Sequence, residues 1–176
     1  MTETFSSRNR LDKEFANESD RGCAILSLCL LERSLVELFG AFLPGGDNDA
    51  RHFMPKGRLS QGVANARKLG LLTDGNVTNF RLLLEIRNIF AHEVLSNISF
   101  QSDLIRAKVA RLELPDLESV PDLVEELNKD PRHRFMITVD SLVFTLDWIA
   151  GRMSRLESQD VPTWRITKAQ STASGQ

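Results

Sequence analysis

Apolar residues recur at alternating steps of four and three in two long stretches of the chain. In the first, Ala24, Leu28, Leu31, Leu35, Leu38 and Phe42 form an a/d seam, the spacing of a helix face that packs against other helices. Ile25, Leu26, Leu30, Val36 and Phe39 widen it, so this helix belongs at the centre of a bundle or in a dimer interface. Glu18-Ser19-Asp20 offers a capping side chain at its start, and the pattern runs to Leu43. In the second, Phe135, Val139, Leu142, Leu146, Ile149, Met153 and Leu156 give the cleanest heptad in the chain, opened by Pro131. Shorter helical patterns lie between. Leu59–Leu72 turns Leu59, Val63, Ala66 and Leu69–Leu72 inward, and Gly70 marks its end. Asn76 or Thr78 caps a helix that runs to about Leu95, after a turn at Thr73-Asp74-Gly75-Asn76. Ser102 or Asp103 caps a helix over Leu104–Leu114, and Leu123–Leu127 makes a short acidic helix at most. No stretch alternates with period two, and no hairpin turn joins β-rich runs. The pattern predicts an all-α chain, a helical bundle with two long core helices.

The remaining segments set the boundaries. Residues 1–17 form a polar N-terminal segment, with room for a short helix over Asn9–Ala16. Residues 18–157 form one all-helical domain, and 158–176 a polar, flexible tail. Residues 44–57, with two prolines and three glycines, read as a surface loop, and Pro115–Pro121 as a linker. At 176 residues, 41% hydrophobic and 26% charged, the chain suits one domain with a real core. Its net charge of −2 argues against a broad nucleic-acid-binding surface. No apolar run approaches the roughly 20 residues of a membrane span, and the N-terminus lacks a signal pattern, so the expectation is a cytoplasmic protein without membrane contact. Cys23 and Cys29 are about 240° apart around one helix, too divergent to bridge, and are expected to be reduced and buried. His52, His92 and His133 are scattered. Neither a metal nor a cofactor is expected.

The densest candidate chemistry lies in Leu83–His92. Leu83, Ile86 and Phe90 make one apolar face, and Arg87, Asn88 and His92 lie off it. Asn88 and His92 share a face at i and i+4, whereas Arg87 is about 140° from His92. A long guanidinium still reaches toward the imidazole, so the three can converge on a phosphate or carboxylate. Asp20, Arg21, Glu32 and Glu85 are the candidate partners, Glu32 foremost for Arg87. Arg106, Lys108 and Arg111 make one helix face basic. Arg132 and Arg134, flanking His133, crowd the first turn of the last helix, where the dipole disfavours cations unless an anion compensates. These five cations are the candidate anion-facing residues.

Arg87-Asn88-Ile89-Phe90-Ala91-His92 resembles the Arg-x4–6-His motif of the HEPN superfamily of helical bundles. Glu18-Ser19-Asp20-Arg21-Gly22 runs into the long helix with Leu30-Leu31-Glu32. Then come Gly57-Arg58-Leu59-Ser60, Arg67-Lys68-Leu69-Gly70-Leu71-Leu72 and the Arg-Asn-x-Phe-Ala-His run. In this order, over roughly residues 15–157, they resemble the MltR family, named for the mannitol operon repressor. The resemblance implies a repressor-type transcription regulator. Leu59–Leu72 and Asn76–Leu95 do not make a helix-turn-helix, because the second lacks a basic reading face. Contacts with a protein partner are therefore expected rather than direct DNA reading. The HEPN likeness implies an alternative, a metal-independent endoribonuclease acting on RNA at a dimer interface. There His92 would move a proton, Arg87 would neutralise the phosphate and Asn88 would orient either. A third reading is a non-catalytic scaffold in which the cluster only fixes helix register. The two long seams favour a homodimer.

Overall fold

Ser19 opens the central helix, α1 (Asp20–Phe42), its hydroxyl accepting the Gly22 N–H at 3.0 Å. The computed structural model describes Phe15 and residues 17–93, 97–116 and 121–156. Six further helices follow: α2 (Asp47–Phe53), α3 (Leu59–Lys68), α4 (Asp74–His92), α5 (Asp103–Val109), α6 (Pro121–Lys129) and α7 (Pro131–Arg152). No strand occurs among the described residues, and the fold is an all-α bundle. None of the described helices is long and apolar enough to cross a membrane.

All six seam residues of α1 are buried. α1 packs along α7 and also touches α2, α3 and α4. The α7 seam is buried at Phe135, Val139, Leu142 and Leu146, then gives out. Met153 and Leu156 lie past the helix end and are 37% and 46% exposed. The two seams therefore cover each other within one chain. A second copy would have to use other surface. Between the helices, Phe100 sits in an aromatic row, its ring centroid 5.1 Å from Phe90 and 5.0 Å from Phe135.

Several local expectations change. The stretch 44–57 is not all loop, because α2 forms inside it. Gly46 at φ +57° turns the chain, Asp47 and Asp49 suit the first turn, and Ala50 is buried. Phe53 reaches Phe39 at 5.7 Å, so packing, not propensity, carries this helix. α4 starts earlier than expected: Thr73 is the N-cap, and Thr73 and Asn76 bond each other's backbone N–H in a capping box. It ends at His92 rather than near Leu95. α3 stops at Lys68, Gly70 takes φ +74°, and Leu69 faces outward. α5 is shorter than predicted and leaves Leu104 56% exposed, while α6 is longer. The segment 9–16 lies outside the described residues except for buried Phe15, as does the tail from 158.

The two thiols differ, contrary to the expectation that both are buried. Both are free, but only Cys23 is buried; Cys29 is exposed. Burial pushes the Cys23 thiol up to about 11, and its Sγ lies 3.1 Å from Met136 Sδ. It is an inert packing group.

Candidate functional site

Arg87 and Asn88 come from the exposed side of α4 and open into a cleft between α1, α3 and α4. The cleft holds about 200 Å³ and is lined by Leu28, Cys29 and Glu32 of α1, by Gly57, Leu59 and Ser60, and by Leu84, Arg87 and Asn88. The period of α4 explains the placement: Phe80, Leu83, Ile86 and Phe90 are buried, which leaves Arg87 half-buried and Asn88 exposed. Arg87 is half-buried and donates from Nη1 to Asn88 Oδ1 at 3.1 Å. His92, the last residue of α4, is exposed and lies outside the lining of the cleft.

The four candidate partners go to different places. Glu32 reaches the same cleft as Arg87, but no ion pair joins them among the described residues. Its Oε1 accepts instead from the Gly57 N–H at 3.1 Å. Asp20 accepts from Arg132 at 2.7 Å and from the Phe100 N–H at 2.8 Å. Arg21 donates to the carbonyl of Glu93 at 2.8 Å, a cation on the C-cap of α4 where the dipole welcomes it. Glu85 bonds Lys108 at 2.7 Å, and that hydrogen bond holds its carboxyl below the usual glutamate range.

The five candidate anion-facing cations divide. Lys108 is taken by Glu85. Arg132 bonds Asp20 and the carbonyls of Phe15 and Glu18, all at 2.7 Å. Arg134 donates to the carbonyls of Val109, Ala110 and Leu112 and to Asn128 Oδ1, closing the C-terminal end of α5. Burial lowers its proton affinity, yet a guanidinium stays charged at neutral pH. Arg106 and Arg111 are exposed, and Arg106 borders a larger cavity of about 400 Å³ between α5, α6 and α7. The crowding of cations in the first turn of α7 is thus met internally. Asp130 caps that helix, accepting from the N–H groups of Arg132 and His133. The imidazole of His133 lies 3.6 Å from Glu126.

Gly57 and Ser60 belong to the cleft although neither was read as a site residue. The one available signal was the Gly57-Arg58-Leu59-Ser60 run, where Gly57 takes φ +74° just before α3. Chemically, the cleft offers a guanidinium, a carboxamide, a hydroxyl and a carboxylate above leucine side chains.

No family model matches the chain, and no curated protein does. Among solved structures, the chain is similar to one in the X-ray structure of the MtlR-HPr complex from Escherichia coli, with 18% identity and a TM-score of 0.56. The match covers 78% of this chain and 96% of that chain. At that identity the likeness concerns architecture: the chain has the helical fold seen in the MtlR-HPr complex.

Proposed function

We propose that the chain is a transcription regulator of the MtlR, mannitol-repressor type that acts by binding a protein partner of the HPr kind. The observation that carries this reading is the extent of the shared fold, 96% of the matched chain, whose structure is a complex with HPr. Charge supports it. The net charge is −2, and Lys108, Arg132 and Arg134, three of the five candidate anion-facing cations, are engaged internally rather than offered to a DNA backbone. A cytoplasmic setting fits this role. A homodimer, if the regulator forms one, uses surface outside the two seams, such as the side of α7 where Trp148 is 50% exposed with Arg152 stacked 4.4 Å above it. Calorimetric titration of the purified chain with E. coli HPr is the test. Saturable binding with a micromolar or tighter Kd, and no retention of duplex DNA at about 0.15 M salt, is the expected outcome. Heat-silent mixing with HPr, together with tight, salt-sensitive DNA binding, would reverse the reading.

A second reading keeps the ribonuclease. It is favoured by the open position of Arg87 and Asn88 and by the exposure of His92 on the same side of α4 as Asn88. Cleavage of RNA in EDTA that is lost in folded His92→Ala and Arg87→Ala variants would establish it. RNA left intact by the wild-type protein would remove it.

A further inference from the structure

We propose that the cleft between α1, α3 and α4 binds a small zwitterion with one carboxylate and one ammonium, an α-amino acid or a close analogue. Arg87 and Glu32 face this one cavity from different helices, yet they do not pair. Each is held by a neutral group instead: Arg87 by the Asn88 side-chain oxygen, Glu32 by the Gly57 amide. A guanidinium has five N–H donors in a rigid fork, and a carboxylate has about four lone-pair sites. Most of that capacity is unused by described protein atoms, so both charges stand ready for a ligand.

The charge pattern selects the ligand class. A lone anion would gain Arg87 and oppose Glu32; a lone cation would gain Glu32 and oppose Arg87. A molecule carrying both signs satisfies both walls at once. The cleft volume of about 200 Å³ gives room for a molecule of amino-acid size. Ser60 and Asn88 add a hydroxyl and an amide to orient the carboxylate, and Leu59 and Leu84 give an apolar wall for a short side chain. Nothing in this assignment depends on the protein partner, so its failure and the failure of HPr binding are separate results.

The test is amide NMR titration of the full chain with glycine and alanine, with acetate and methylammonium as single-charge probes. Saturable shifts at Gly57, Ser60 and Asn88 are expected with the amino acids, and at least tenfold weaker responses with either single-charge probe. Glu32→Gln keeps an oxygen for the Gly57 amide but removes the charge. It should weaken the amino acids about tenfold while strengthening acetate. Arg87→Gln should weaken both, and unchanged signals elsewhere report folding in each variant. Three results would overturn the proposal: no saturable shift with either amino acid, acetate binding as tightly as alanine to the wild-type protein, or an unchanged order of affinities in Glu32→Gln.

Discussion

Replacing Phe100 with alanine is expected to lower the unfolding free energy by about 3–5 kcal/mol, the usual range for a fully buried phenylalanine. The position is unusual because Phe100 belongs to no helix; it sits between α4 and α5, yet its side chain is 1% exposed. Its ring bridges Phe90 of α4 and Phe135 of α7. Truncation would leave both partner rings facing a void that water cannot fill favourably. Two helices would lose their common contact, and the chain between them would lose its anchor. Urea unfolding followed by circular dichroism measures the effect. Phe100→Leu, which keeps most of the volume, should cost under about 2 kcal/mol, so the gap between the variants remains readable if the alanine form is largely unfolded. A loss below about 1 kcal/mol for Phe100→Ala would show that the row is not a core contact.

The second large effect is expected at Arg134. Arg134→Met keeps much of the aliphatic stem but withdraws the guanidinium from three main-chain carbonyls, those of Val109, Ala110 and Leu112. These lie at and beyond the C-terminal end of α5, where helix carbonyls have no partner of their own. Leaving partly buried acceptors unsatisfied costs about 1–3 kcal/mol each when water cannot replace the donor, and water will reach some of them here. The expected net loss is about 2–4 kcal/mol. Arg134→Lys should recover only part of it, because a single ammonium cannot span the arrangement that the planar fork reaches. Arg106→Met, on the exposed side of α5, should change stability by under about 0.5 kcal/mol. Equal losses for Arg134→Met and Arg106→Met in the same urea series would refute the capping role.

These two side chains mark the boundary of what the sequence makes legible. The α1 seam is correct residue by residue, since burial of Ala24 through Phe42 follows directly from the helical period. The same holds for α7 as far as Leu146. The crowding of cations in the first turn of α7 points Arg134 toward an anion, whereas its partners are the Asn128 side chain and backbone carbonyls at and beyond the end of a different helix, which no residue pattern displays. α2 was hidden because prolines and glycines on either side dominate the window, while Ala50, Phe53 and Met54 acquire meaning only against α1. The start of α4 was placed late because Asn76 was read as a cap, when it is the N3 partner of the cap at Thr73. At the cleft, Arg87, Asn88 and Glu32 were visible as candidates. Their convergence with Gly57 and Ser60 depends on the turn before α3.

The Asp20–Arg132 bond joins residues 112 positions apart, and Arg132 ties the chain at Phe15 from 117 positions away. The first of the seven described helices is therefore completed by the last of them. Until Pro131–Leu146 has left the ribosome, the buried face of α1 has no α7 to cover it, and Asp20 has no cation. A nascent chain halted before α7 would leave the α7-facing part of the α1 seam uncovered, a natural substrate for chaperones, and this packing would close only as α7 arrives.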